Sequence, residues 1–144
     1  MTDLTLAAAR TIVEKALAHA HAAKFKPLGV VVVDARGLVR AAEVEDGSAF
    51  LRFDIAHGKA FGCVSVGVGG RTLQKFATER PHFTTALGGL TRDRMTPVPG
   101  GVLIRDQAGA LVGAVGISGD TSDNDELAAI AGIEAAGFKA DTGA

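Results

Sequence analysis

Four histidines, one cysteine and a small set of charged groups are the only side chains in this 144-residue sequence with obvious chemical potential. His19 and His21 lie two residues apart in a segment with helical periodicity. At about 100° per residue they point roughly 200° apart, so they cannot grip one metal ion together. Each falls at an edge of the apolar stripe, where an imidazole can reach a ligand across apolar surface. His57 sits in Arg52-Phe-Asp54-Ile-Ala-His57-Gly-Lys59-Ala, and His82 stands alone further on. Asp54 and Lys59 are five residues apart and are not close neighbours on a helix surface. If either faces inward it needs a partner. Cys63 is the only cysteine, which excludes an internal disulfide, a CxxC zinc site and a CxxCH haem attachment. It lies among Phe61, Val64 and Val66 with no basic residue within three positions, so it should be buried and unreactive.

Two further motifs do not survive their context. Gly67-Val-Gly69-Gly70-Arg-Thr72 begins like a dinucleotide fingerprint, but it follows a helical segment instead of a strand and has Thr at its last position. Ser118 lacks the spacing of a nucleophile elbow. Gly113, Gly116 and Gly119 fall on alternating faces of a strand and so do not form one anion nest. They allow a helix or a ligand to approach the sheet closely. No catalytic set emerges, and the residues read as binding groups before they read as an enzyme.

The elements that must position these groups follow from periodicity. Ala9, Ile12, Val13, Ala16, Leu17 and Ala20 form one stripe of a helix from Thr5 to about Lys24, with Thr5 as N-cap. The run Leu28 to Asp34 reads as a buried strand, Asp34-Ala-Arg-Gly37 as a turn, and Leu38 to Val44 as the returning strand. Ser48 is a candidate cap for a second helix with Phe50, Phe53, Ala56, Ala60 and Val64 on its apolar face. A shorter helix spans Arg71 to about Glu79. Arg80 to Pro99 holds three of the four prolines and reads as a long, functional loop. Gly101 to Asp106 and Ala110 to Ser118 form a second hairpin around another Asp-x-x-Gly turn, and turn chemistry alone explains its likeness to the first. A last helix runs from about Ser122 to Ala136. Direct strand-turn-strand links predict an antiparallel sheet with helices on it, hence α+β, in a single domain over residues 1–144.

Composition bounds the function. Apolar residues are 47% and charged residues 22%, enough for a packed core. The net charge of −1 supplies no basic excess for nucleic acid, and Trp and Tyr are absent. No segment approaches 18 consecutive apolar residues, and no signal peptide is evident, so a cytoplasmic protein without membrane contact is expected.

The ordered set of motifs resembles a known family. Val30-Val-Val-Val-Asp34-x-x-Gly37 is followed by Arg52-x-Asp54-x-Ala56-x-x-Lys59-Ala60. Then come Pro99-Gly-Gly101-Val, Ile104-x-Asp106, Val112-Gly-Ala-Val-Gly-Ile-Ser118-Gly119 and Asp125-Glu126. With the Ala-rich first helix, these cover nearly the whole chain. They are similar to the GlcG/HbpS-type proteins, also called the haem-degrading or PduO C-terminal domain family. The resemblance implies a profilin- or PAS-like fold with a five-stranded antiparallel sheet and helices. It also implies homo-oligomers, often octamers, and the binding of haem or another small ligand. A first-helix histidine as iron ligand would be His21 or His19, with His21 first, and Arg52 and Lys59 as further cofactor-binding residues. Lys24 and Lys26 would join Arg52 near the propionates. His57, Gly100 and Gly101 join the pocket candidates. An alternative is an enzyme or sensor for a small organic acid or aromatic metabolite. Its pocket would lie between the sheet and the 80–99 segment and use Arg52, Asp54, Lys59 and His82. A third is a subunit whose assembly matters more than any ligand.

Overall fold

The computed structural model describes residues 3–144. The chain runs α1 (Leu6–Ala22), β1 (Gly29–Asp34), β2 (Val39–Val44), α2 (Arg52–Val66), α3 (Gly70–Glu79), α4 (Pro81–Leu90), β3 (Gly101–Arg105), β4 (Leu111–Ser118), α5 (Ser122–Ala135) and β5 (Lys139–Asp141). The five strands form one antiparallel sheet in the order β2-β1-β4-β3-β5. The α+β architecture and both hairpins are as expected. β5, whose three residues pair with β3 at the sheet edge, carried too short a pattern to be read from the residues.

Period-2 alternation decides which helices cover which face. Val30, Val32, Val102, Ile104, Val115 and Ile117 pack under α1 and α5, joined by Ile12, Val13, Ala16 and Ile133. Val31, Val33, Leu103 and Ala114 face the other way, onto Ala56, Ala60 and Cys63 of α2 and Leu73 of α3. The sheet is therefore the middle of three layers, which is why every residue of β1 is buried. Thr5 caps α1 by accepting from Ala8 N, and Thr121 caps α5 by accepting from Asn124 N. The Asp-x-x-Gly turns repeat their chemistry. Asp34 Oδ1 accepts from Leu38 N and Asp106 Oδ1 from Ala110 N, while Gly37 and Gly109 take φ of 83° and 91°.

Three expectations need correcting. The 80–99 segment is not one long loop: α4 occupies its first half, with Pro81 in the first turn, where its missing N–H costs nothing. No α4 residue is fully buried, so it shows no core stripe. It is held by Phe83, edge-on to Phe76 of α3, and by the Arg80 guanidinium, 4.3 Å from the Phe83 ring centroid. Ser48 caps nothing: α2 begins at Arg52, and Ser48 Oγ is buried without a hydrogen-bond partner. Phe50 does not join the apolar face and is 89% exposed. The face α2 buries is Ala56, Lys59, Ala60 and Cys63, a row of mostly small residues that lets the helix lie close on the sheet.

Candidate functional site

The α1 helix ends beside the open end of the first hairpin. Leu17 and His21 from its last turns, Phe25 and Pro27 from the connector, and Glu43, Val44, Glu45 and Asp46 from the end of β2 line a cavity of about 530 Å³. That size falls within the range of small-molecule sites. Its apolar walls are Leu17, Phe25, Pro27 and Val44. Lys24 and Lys26 flank Phe25 in sequence, Lys24 with a left-handed φ of 60° and Lys26 with its N–H donated to Asp120 Oδ2. Two smaller cavities, of about 390 and 320 Å³, lie at the Asp34 turn and beside Asp106, and neither contains a histidine.

The one imidazole lining the largest of these cavities is held. His21 Nε2 hydrogen-bonds to Glu45 Oε2, while the other oxygen of that carboxylate, Oε1, accepts from Leu28 N at 2.9 Å. Glu45 N in turn donates to Leu28 O at 2.9 Å, continuing the hairpin pairing by one step. The carboxylate is thus fixed by the strand backbone, and the more exposed imidazole docks onto it. Sequence reasoning named His21 and did not name Glu45, its partner in the structure. The clue was present: the hairpin pairs Gly29 with Val44, which puts Glu45 opposite Leu28.

The other candidates are dispersed. His19 is exposed and packs edge-on against Phe25, with ring centroids 5.9 Å apart. His57 is half-buried between Phe53 and Phe61 on the outer side of α2. Burial, and then the nearby Arg94, lower its pKa, against an opposing pull from Asp54. Asp54 and His82 are exposed on different helices. Arg52 donates to Ser118 Oγ at 3.1 Å. Lys59 is only 3% exposed and donates to Ile117 O at 2.8 Å and to Asp125 Oδ2 at 3.2 Å. Gly100 and Gly101 pack directly on it: a Cβ at Gly100 would lie 2.7 Å from Lys59 Nζ. Lys59, Gly100 and Gly101 do come together, but inside the fold, and no cavity described above is lined by them or by Arg52, Asp54 and His82. Cys63 is buried as expected, and burial pushes its thiol pKa up to about 12, so it carries little thiolate.

Among the described residues, no three His, Cys, Asp or Glu side chains converge to hold a metal ion. A metal that arrives with its own equatorial ligands needs only one imidazole. A family model described as "Haem degrading protein HbpS-like" matches residues 4–134. This chain belongs to that family. HbpS from Streptomyces reticuli, in a double-mutant form, is 29% identical with a TM-score of 0.80, the match covering 93% of this chain and 87% of that one. The PduOC:haem complex superposes with a TM-score of 0.84 at 21% identity over 95% of this chain and 97% of that one. Klebsiella pneumoniae ORFY gives 0.81 at 24%, covering 94% and 92%. No curated protein matches the chain. No helix among the described residues of this HbpS-like chain is long and apolar enough to cross a membrane.

Proposed function

We propose that this HbpS-like chain binds haem non-covalently in the α1–β2 cavity, with His21 as the iron ligand. The carrying observation is the His21–Glu45 pair at a cavity whose lining is half apolar and half polar. It supplies one imidazole, a fixed carboxylate on its second nitrogen, and Leu17, Phe25, Pro27 and Val44 as surface for a porphyrin face. The family description supports haem binding by this chain. Bound haem would contribute an iron centre with its own four equatorial nitrogens, which suits a chain offering a single ligand. Glu43 and Asp46 repel propionates from their side of the cavity. Lys59 is engaged within the fold, while Arg52 spends one of its N–H groups on Ser118 Oγ.

Titration with haemin, followed in the Soret region, tests this. His21→Ala is expected to weaken binding by at least about tenfold and shift the band, while His19→Ala stays near wild type. Equal spectra and affinities for all three proteins would remove His21 from the site.

The chain is further proposed to act as a closed homo-oligomer, an octamer. Phe50 at 89%, Leu90 at 81%, Leu38 at 55% and Leu51 at 51% exposure are large apolar groups that symmetric assembly would cover. Light scattering at micromolar concentration should give a multiple of the 14.6 kDa chain mass, and a monomer mass would refute assembly.

A further inference from the structure

We infer that β2 is a docking edge for a second copy of this chain: the two β2 strands pair antiparallel about a two-fold axis at Ala42 and join their five-stranded sheets into one. The inference rests on the assembly reading and deepens it. Among the described residues, β2 ends the sheet and has β1 as its one neighbour. The ladder fixes which backbone groups are free. Glu45 N–H donates to Leu28 O, so these two form a hydrogen-bonded pair, and such pairs alternate along an antiparallel ladder. Val30–Glu43 and Val32–Ala41 are then bonded as well, which turns the N–H and C=O of Ala42 and Val44 outward. Ala42, Glu43 and Val44 are all exposed. The opposite edge is blunted, since β5 has three residues and opens on Lys139.

The charge pattern names the partner. β2 and its flanks run from Arg36 and Arg40 to Glu43, Glu45 and Asp46, basic first and acidic last. Antiparallel self-pairing at Ala42 sets Val44 opposite the partner's Arg40 and Glu43 opposite the partner's Ala41, so each guanidinium falls beside a Glu43 carboxylate. Both groups lie on the α1 face. Glu43 pairs with Val30 of that core layer, and Arg40, which the register skips, lines a cavity with Leu4 and Val112 of the same layer. A two-fold axis normal to the sheet keeps like faces together, so the contact forms twice. Arg40 is held only loosely in its own chain, 4.0 Å from Asp34 Oδ2. Glu43 and Asp46 have no ion-pair partner among the described residues. Sliding one bonded step toward the acidic end would set Glu43 against the partner's Glu43, and like charges directly opposite disfavour that register. Isologous pairing uses both edges and therefore closes.

Ala42→Cys in the full chain tests the register directly. Bonded antiparallel pairs hold their Cα atoms about 5.5 Å apart, within disulfide reach, so mild oxidation at micromolar concentration should yield a covalent dimer. Cys63 is buried, with its thiol pKa pushed up to about 12, and does not compete. Ala108→Cys, exposed in the β3–β4 turn, is the control and should stay uncross-linked. Charge reversal reads the side-chain contact. Arg40→Glu and Glu43→Arg each place like charges at both copies of it, and each is expected to weaken association at least about tenfold by sedimentation equilibrium at low salt. The double exchange restores opposite charges, because each contact holds one residue of each kind, and should return to within about threefold of wild type. Ala42→Pro removes an outward N–H and leaves the β1 ladder intact, so it should lower the assembly mass while circular dichroism and melting stay near wild type. If Ala42→Cys stays uncross-linked and the reversals keep wild-type affinity, while the wild type is a multiple of the chain mass, another surface carries assembly and the inference falls alone. If the wild type is a monomer at the same concentration, the assembly reading falls with it, and the edge is left to an extended strand of a different protein.

Discussion

Lys59→Met is expected to destabilise the protein by about 3–5 kcal/mol, the cost of stranding one member of a buried ion pair. Lys59 and Asp125 are 3% and 1% exposed, and they join α2 to α5 around the sheet end where Ile117 O receives the same ammonium group. Burial lowers the lysine pKa and raises the aspartate pKa, each against the pull of its partner, so both charges are held at a desolvation cost that only their pairing offsets. Methionine fills a similar volume, so the loss comes from the orphaned carboxylate and carbonyl instead of a cavity. For a chain of this size the loss corresponds to a fall in Tm on the order of 10 °C by calorimetry. Lys59→Met combined with Asp125→Asn removes both charges and keeps an acceptor for Asp120 N, which Asp125 now serves at 3.0 Å. The double variant should recover most of the loss. A single variant melting within about 2 °C of wild type would show that the pair does not hold these layers together.

Gly116→Ala is expected to cost about 3 kcal/mol, the upper end of overpacking penalties. A Cβ at this position would lie 1.9 Å from Ala56 O and 2.8 Å from Ala60 N, both backbone atoms of α2 that no rotamer change can move. The helix must therefore lift from the sheet, loosening Ala56, Ala60 and Cys63 from Val31, Val33 and Ala114 together. Gly89 is the control. It lies in α4 with open space where a Cβ would go, so Gly89→Ala should be neutral or stabilising by up to about 1 kcal/mol. Similar melting temperatures for the two variants would contradict close packing of α2 on β4.

Local chemistry made part of this molecule readable before any coordinates. The α1 stripe, the cap at Thr5, the unbroken β1 run and the two Asp-x-x-Gly turns each depend on residues within a few positions of one another. The sequence motifs also sufficed to place the chain in its family, and the family model matches over residues 4–134. Where local signals misled, burial was the reason. Phe50 looks like a core residue by type yet faces outward, because α2 starts two residues later and turns small residues to the sheet. α4 has no buried stripe to betray it, since it is fastened by an aromatic pair and one guanidinium instead of a core.

The site itself divides along the same line. The residue type and helical edge position of His21 were visible in the sequence. Its partner Glu45 is 24 residues away and is brought there by the hairpin register and the return of α1 across it. Lys59 looked equally available for a ligand, with Gly100 and Gly101 beside it in the same family pattern. Only the packing of those glycines on its stem, and of Asp125 from 66 residues away, commits it to the interior. Residue type determines what a side chain can do, and short-range pattern determines which element carries it. Which charged groups are spent on the fold and which are left for a ligand depends on long-range partners, because a buried charge is tolerated only where the tertiary structure supplies its complement.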